Sequence, residues 1–481
     1  AINLLDDRKI MQKPENQSGN IKATGIVAQP VSVTRKMAAS LPGLRELAVS
    51  KGLKMHHLGA GYPHPEVTDP RKFLTHKTRY YQHLADKEGI NDAEQLPEYL
   101  RESYSYTDTL GPKSVREKFS QVYGADWNVK MDPDLLVPTV GATGGISLLC
   151  SLFERSGEPL AFITDAPTYA GFLARASLGH QTKIYSVEMD AEGPLIASLR
   201  SQIEQARADG RFVPFYYTVP DGHNPAGFSF SQARRESILA VMREYGLLVV
   251  EDAPYIYINY AEEAERPESF LSMAPKQSVH LFTGSKIGFP GPRVGFLYSE
   301  AVMDISGGET ASLRDLVVTE ASSDILFQNP EALYGLEALL HDENMVLRAS
   351  LWPVAEDKLA VYRENRQIML DGFERELGKY PDKFTWTHPG AGFFTVFSFQ
   401  DDSVVCDEGF VSDLASNYGI VVIPMYPFYP DDAKSRNPKA GLNELRLSFC
   451  FSESQGEARR NDLKESVQAF CDAVKKLSDI Y

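Results

Sequence analysis

The segment His280-Leu281-Phe282-Thr283-Gly284-Ser285-Lys286-Ile287-Gly288-Phe289-Pro290-Gly291-Pro292-Arg293-Val294-Gly295-Phe296 decides how the rest of the chain is read. An apolar, strand-like run ends in two hydroxyls and a lysine. A Gly/Pro turn follows, then an arginine seven residues after the lysine, then a second apolar strand. Burial at a strand end disfavours the ammonium form of Lys286 and lowers its pKa. A neutral amine can attack an aldehyde and form a Schiff base. Thr283, Ser285 and Arg293 supply what a phosphate on that aldehyde requires: hydroxyl donors and a fixed bidentate cation. The competing reading is a lysine that snorkels to solvent beside an ordinary turn.

Composition narrows the field. A chain of 481 residues exceeds one simple core and implies about two domains. Hydrophobic content of 43% with 24% charged residues is that of a soluble globular enzyme. A net charge of −16 argues against nucleic acid or an anionic membrane as partner, since neither gains from a like-charged surface. The four cysteines, Cys150, Cys406, Cys450 and Cys471, are widely spaced and form no metal-ligand pattern. They read as buried free thiols of a reducing compartment. The first residues lack a secretory signal pattern and no apolar run reaches membrane-spanning length, so a cytoplasmic protein is expected.

Outward from the lysine, short apolar strands alternate with helices. Leu135 to Val140 leads into Gly141-Ala142-Thr143-Gly144-Gly145 and a helix from Ile146. Leu160 to Thr164 ends in Asp165-Ala166-Pro167-Thr168-Tyr169, and Phe215 to Val219 ends in Asp221-Gly222-His223-Asn224-Pro225-Ala226-Gly227. Leu247 to Val250 ends in Glu251-Asp252-Ala253-Pro254-Tyr255. This alternation predicts an α/β fold with a largely parallel sheet covered on both faces. In such sheets ligands sit beyond the carboxyl ends of the strands, where every one of these polar clusters falls. Upstream, Val33 to Ala48 has helical periodicity up to Pro42. His56 to Pro63 is a short strand entering a Gly/Pro turn, and the polar stretch 70–103 reads as a helical surface excursion. After about 345 a long charged helix, short strands near 384–399, 421–424 and 445–449, and a closing helix predict a smaller α+β domain.

Each cluster has two readings. Gly141 to Gly145 admits a phosphate to a helix N-terminus, or is simply a tight strand-to-helix turn. Asp252 pairs with a protonated ring nitrogen and makes that ring an electron sink, or caps a loop. Tyr255 and Asn224 donate to a ring oxygen, or are a packed tyrosine and an Asn-Pro turn. Tyr169 stacks on a ring, or is a core aromatic. Arg446, in an alternating apolar strand, clamps a substrate carboxylate or forms an internal ion pair.

The order of these clusters resembles the class I and II aminotransferases of the fold-type I pyridoxal-phosphate superfamily, across roughly residues 55–450. The matching elements are Gly61-x-Pro63, the turn at Thr143, Asn224-Pro225-x-Gly227, Asp252-x-x-Tyr255, Ser285-Lys286 with Arg293, and Arg446-Leu447-Ser448-Phe449. The resemblance implies a seven-stranded-type, mostly parallel sheet between helices and a smaller α+β domain. The expected divisions are 1–75 packing with the small domain, 76–345 and 346–481. It implies pyridoxal 5'-phosphate held as an internal aldimine on Lys286, with Asp252 on the ring nitrogen and Asn224 and Tyr255 on the ring oxygen. Tyr169 stands at the stacking position. Gly141, Ala142, Thr143, Thr283, Ser285 and Arg293 surround the phosphate, and Gly61, Asn224 and Arg446 meet the substrate. Tyr106, in Tyr106-Thr107-Asp108-Thr109-Leu110-Gly111, matches the tyrosine that reaches the phosphate of the neighbouring subunit in a homodimer.

Three departures stand out: Ala142 where relatives carry a polar side chain, the Pro-rich Gly288–Pro292 loop, and the long 70–103 segment. The expected reaction moves an α-amino group from an aromatic or broad range of amino acids to a 2-oxo acid such as 2-oxoglutarate. The closest-looking relatives are aromatic, kynurenine and 2-aminoadipate aminotransferases. Tyr62, Tyr257, Phe393, Phe394, Tyr426 and Phe428 are expected near the substrate mouth. A carbon–sulfur β-lyase or an aminocyclopropane-carboxylate synthase shares nearly all these motifs. A transcriptional regulator on the same fold needs a DNA-binding module, and no basic helix-turn-helix pattern precedes Gly61.

Overall fold

The computed structural model describes residues 20–61, 63–90, 97–450, 452 and 454–480. Tyr62, expected near the substrate mouth, lies outside them. The chain divides into two compact units, Ala1–Pro30 and Val31–Tyr481. In the first, the described residues are exposed and contain one turn, in which Ile26 N–H donates to Ala23 O at 3.0 Å.

In the second unit, β1 (His56–His57) belongs with the C-terminal strands. The strands β2 (Leu136–Val140), β3 (Leu160–Ala166), β4 (Thr182–Asp190), β5 (Gly193–Pro194), β6 (Phe215–Thr218), β7 (Leu248–Asp252), β8 (Ser278–Thr283) and β9 (Val294–Tyr298) form one eight-stranded sheet. Its order is β2-β9-β8-β7-β6-β3-β4-β5. From β8 to β4 neighbours run parallel, while β9 is antiparallel to both β2 and β8. The expected seven strands are joined by β5, a two-residue antiparallel addition at the edge. Strands β3, β6, β7, β8 and β9 are buried at every residue, which is why they read as unbroken apolar runs. Phe162 and Phe215 face one core with Ile146 and Phe172, while Ile163 and Tyr216 face another with Leu199 and Ile238.

A hairpin of β10 (Val302–Ile305) and β11 (Glu309–Ser312) follows. The C-terminal strands are β12 (Phe384–Trp386), β13 (Phe394–Phe399), β14 (Ile420–Val421), β15 (Ile423–Pro424) and β16 (Glu444–Ser448). Four of them form an antiparallel sheet in the order β12-β13-β16-β15, and β14 pairs in parallel with β1. Phe373 of the helix Trp352–Leu377 and Phe470 of the helix Gly456–Leu477 pack on Phe397 of this sheet.

Three elements differ from the sequence reading. The helix Val33–Ser50 runs straight through Pro42. It is anchored to the helix Glu408–Tyr418 on both sides of the proline, by Lys36 Nζ to Glu408 at 2.5 Å and Lys51 Nζ to Ser416 O at 2.9 Å. The glycine run after β2 is already the first turn of the helix Gly141–Glu154. The polar 70–103 segment is more than a surface excursion. Its helix Pro70–Lys87, which contains residue 75, buries Tyr80 completely. The Tyr80 hydroxyl donates to buried Glu337, which also accepts from Lys118 Nζ and Ser114 Oγ, each at 2.8 Å.

Candidate active site

The carboxyl ends of β7 and β8 place Asp252 and Lys286 together. Lys286 is half-buried, and its Nζ donates to Gly61 O at 2.8 Å. The Nζ also lies 5.5 and 5.7 Å from the ring centres of Phe393 and Tyr255. Burial pushes its pKa down to about 8, with Arg446 and Arg293 acting in the same direction and Cys450 and Asp252 opposing. Asp252 is fully buried. Its Oδ2 accepts from Tyr217 at 2.6 Å, and its Oδ1 has no partner. Burial pushes this carboxyl up to about 6, although the Tyr217 hydroxyl favours the charged form. Tyr217 is held by Phe172, stacked at 4.0 Å and 5°.

A second group of donors gathers at the start of the helix Gly141–Glu154. No side chain caps this helix, so its first-turn N–H groups keep their anion-binding capacity. Gly141 sits at φ +64°, and its N–H donates to Arg293 O at 3.0 Å. A Cβ there would lie 2.5 Å from Arg293 Nη2, so only glycine lets the guanidinium approach this turn. Arg293 itself has φ +58°, a strained conformation for a side-chain-bearing residue. Its Nη1 donates to Ser285 Oγ at 3.2 Å, and that hydroxyl accepts from Thr283 Oγ1 at 3.0 Å. Thr143 is exposed at the helix start, and burial raises the pKa of the Tyr169 hydroxyl, which Thr143 partly offsets. The Tyr169 ring lies over Gly171, where a Cβ would come within 2.5 Å of it.

The third group is built on β16. Arg446 is buried to 2% exposure, with its guanidinium 4.0 Å from the Phe394 ring centre and 5.3 Å from that of Phe428. Nη1 donates to Asn224 Oδ1 at 2.9 Å and Nη2 to Gly59 O at 3.1 Å, while Nε is buried without a partner. Because arginine only donates, the Asn224 oxygen must face it and the amide nitrogen turns away. Burial lowers the Arg446 pKa to about 10. Tyr255 is buried edge-on to Phe393 at 5.2 Å, and burial holds its hydroxyl well above the usual phenol range.

Among the described residues, no carboxylate pairs with Arg293 or Arg446, and Asp252 Oδ1 has no donor. A dianionic phosphate, a ring N–H and a substrate carboxylate are the complementary groups, so a phosphorylated pyridine aldehyde and an amino acid fit.

Other expectations are relocated. Tyr257, expected at the mouth, is core. Its hydroxyl donates to Asp126 Oδ2 at 2.6 Å and its ring packs on Trp127 and Trp352. Tyr106 is 89% exposed, edge-on to Phe327, and does not reach the site of its own chain. The Pro-rich loop and the 70–103 segment meet each other: Phe289 packs on Phe73 at 4.9 Å. They share a cavity of about 200 Å³ with Lys77, Leu336 and Leu339, which neither Lys286 nor Arg446 lines.

Sequence reasoning missed Tyr217, the Asp252 partner, and the buried Asp165–His223 pair behind Asn224. Asp165 Oδ2 is 3.1 Å from His223 Nε2 and accepts from Thr218 Oγ1 at 2.6 Å, which fixes the loop bearing Asn224. Only their position at strand ends marked them. All four cysteines are free and buried, as expected.

Residues 90–474 match the family model for aminotransferase class I and II. The chain is 27% identical over 401 residues to the (S)-3,5-dihydroxyphenylglycine transaminase of Amycolatopsis orientalis, covering 82% of this chain and 83% of that protein. It is 23% identical over 383 residues to aromatic-amino-acid aminotransferase 1 of Thermococcus litoralis, covering 80% and 84%. Its fold matches that of the Pyrococcus horikoshii kynurenine aminotransferase solved with PMP, kynurenine and its product, with a TM-score of 0.72 and 20% identity, covering 95% and 97%. Family model, fold and strand-end chemistry agree, and the chain belongs to the class I and II aminotransferases, which are pyridoxal-phosphate-dependent enzymes.

Proposed function

We propose that this aminotransferase takes an aromatic amino acid as donor, with Lys286 as the covalent attachment point of the cofactor and the acid/base of the reaction. The observation that carries the reading is the turn Gly59–Gly61, whose carbonyls accept from both Arg446 and Lys286, with Asp252 and its unpartnered oxygen near enough for its charge to act on Lys286. Bound there, pyridoxal phosphate supplies an electron sink that acidifies the substrate Cα–H. Arg293, Ser285, Thr283, Thr143 and the N–H of Ala142 hold the phosphate, while Gly141, whose own N–H is engaged by Arg293 O, serves by leaving the turn open. Asp252 keeps the ring nitrogen protonated, and Asn224 and Tyr255 donate to the ring oxygen. Arg446 clamps the α-carboxylate through its unused Nε and Nη hydrogens. Lys286 Nζ, near neutrality at about pH 8, takes the Cα proton and returns it to the carbon next to the ring.

The aromatic donor is supported by the dihydroxyphenylglycine and aromatic names of the relatives, and by Phe393, Phe394 and Phe428 beside Lys286 and Arg446. A 2-oxo acid such as 2-oxoglutarate is the acceptor. No described helix is long and apolar enough to cross a membrane, and four unpaired buried thiols support a cytoplasmic location. The test is the visible spectrum of the purified protein before and after single amino acids. The wild type should show a yellow band that phenylalanine and tyrosine bleach faster than alanine or aspartate, and Lys286→Ala should lose the band. A Lys286→Ala protein with wild-type band and bleaching removes the lysine role, and preference for aspartate removes the substrate class.

A further inference from the structure

The carbonyls of Gly59, Ala60 and Gly61 are engaged by three side chains in succession. Arg446 Nη2 donates to Gly59 O at 3.1 Å, Cys450 Sγ to Ala60 O at 3.0 Å and Lys286 Nζ to Gly61 O at 2.8 Å. The outer two donors belong to the chemistry proposed above. The middle one has no role in it.

Cys450 is fully buried, four residues beyond Arg446. Its thiol is oriented from behind: Ser448 Oγ lies 3.0 Å from Sγ and accepts from Cys450 N–H at 3.3 Å. A carbonyl only accepts, so the thiol proton points to Ala60 O and the Ser448 hydroxyl donates to the sulfur. Ser448 N–H also donates to Leu58 O at 2.6 Å, which runs the same strand edge past the turn. Burial pushes the thiol up to about 11, so it remains a donor at neutral pH. The turn has no slack toward its other neighbours. A Cβ on Gly59 would lie 3.3 Å from Ile423, and one on Gly61 would lie 3.2 Å from Phe394.

The Lys286 amine cannot hold Gly61 O throughout turnover, since it must join the cofactor and be released from it. Each time it is released, Gly61 O is the acceptor that the structure offers it. We propose that Cys450 is a positioning residue: its thiol pins Ala60 and so fixes the Gly61 carbonyl that docks the released Lys286 amine while it carries the substrate proton. The inference rests on the acid/base role of Lys286 proposed above. It assigns to Cys450 an effect on proton transfer and none on carboxylate binding, which belongs to Arg446.

The experiment is single-turnover bleaching of the holoenzyme by phenylalanine in Cys450→Ala, Cys450→Ser and Ser448→Ala, alongside Arg446→Lys. Cys450→Ala should slow the saturating rate on the order of ten-fold, the loss of one hydrogen bond held in the transition state, with half-saturation unchanged. Cys450→Ser keeps a donor and should stay within about three-fold. Arg446→Lys should instead raise half-saturation. Ser448→Ala, which removes the hydroxyl behind the sulfur, should slow the rate less than Cys450→Ala, and gives a reading should that variant not fold. In the cofactor-free protein, reductive methylation of Lys286 followed by mass spectrometry should show a changed pH profile in Cys450→Ala. A wild-type rate and methylation profile in Cys450→Ala overturn the proposal, as does a rise in half-saturation alone. Failure of the lysine reading is separate: Lys286→Ala would then keep the wild-type band and bleaching, whatever stands at 450.

Discussion

At Asp252 the fold holds a carboxyl with one oxygen on Tyr217 and the other facing nothing, an arrangement that costs stability until a cation arrives. Burial raises this group from 3.8 to about 6, so in the cofactor-free protein the folded state binds a proton that the unfolded chain has released. The contribution of this one group to stability is therefore greatest below pH 3.8, falls as pH rises through about 6, and stays lower by on the order of 3 kcal/mol above it. Asp252→Asn removes that titration and leaves an acceptor for Tyr217. We expect its cofactor-free form to melt a few degrees higher than wild type at pH 7 and level with it near pH 4. Activity should move the other way. Losing the ion pair with the ring nitrogen removes about 3–5 kcal/mol, a fall in kcat of about two-hundred- to five-thousand-fold. Calorimetry and steady-state kinetics on the same preparation read both. A variant that is both less stable at pH 7 and only mildly slower would show that Asp252 is a structural cap. Lys286 obeys the same burial physics with the opposite sign, so in the cofactor-free fold burial disfavours the charged form of both groups.

At the scale of elements, the phosphate end depends on one backbone conformation where β2 turns into its helix. Gly141→Ala would put a methyl against Arg293 Nη2 at a φ that costs a non-glycine residue about 1–2 kcal/mol. We expect at least a ten-fold weaker cofactor Kd, since the guanidinium must withdraw, together with a lower Tm. Gly291→Ala, in the nearby loop with no atom within 4 Å of the new methyl, should bind within about two-fold of wild type. Fluorescence titration of the cofactor-free proteins compares the two, and equal Kd values would dissociate Arg293 from the phosphate. This turn was legible in the sequence because a parallel sheet delivers its strand ends to one side, and each end carried a polar cluster. Its partners were less legible. Tyr257 follows a strand end in a stretch of turns, where no period states which way a side chain faces, so its burial against Trp127 and Trp352 was invisible. The helix Pro70–Lys87 looked exposed because its one buried residue, Tyr80, is satisfied by Glu337 and Lys118 from elements remote in the chain. Tyr217, within β6, and Cys450, two residues beyond β16, escaped for the same reason: a hydroxyl or thiol among apolar neighbours shows its role only when the facing segment is known.

Across the whole molecule, the complementary groups at the site account for a ring, a phosphate and a carboxylate, but Tyr106 points elsewhere. It is 89% exposed and edge-on to Phe327 at 6.2 Å; Ile325 and Leu326, which precede Phe327, are exposed too, and Thr109 Oγ1 donates to Leu326 O at 2.8 Å. An apolar patch of this kind on a chain of net charge −16 is suited to a second copy of itself, because scattered surface charge alone would keep the chains apart. We propose a homodimer in which Tyr106 completes the partner's phosphate site, and sedimentation should return twice the 53.5 kDa chain mass. Subunit mixing then decides whether the site is shared. Lys286→Ala homodimers should be inactive and Tyr106→Ala homodimers impaired by about ten-fold, the loss of one charge-assisted hydrogen bond to the phosphate. In a hybrid of the two, a shared site places both lesions in one cleft and leaves the other with native Lys286 and native Tyr106. Hybrids purified through two different tags should therefore recover close to half the wild-type activity. If Tyr106 acted within its own chain, no native cleft would form and the hybrid could not exceed half the activity of the Tyr106→Ala enzyme. The ten-fold gap between these outcomes, set by the Tyr106→Ala impairment itself, makes the hybrid a measure of which subunit supplies the tyrosine.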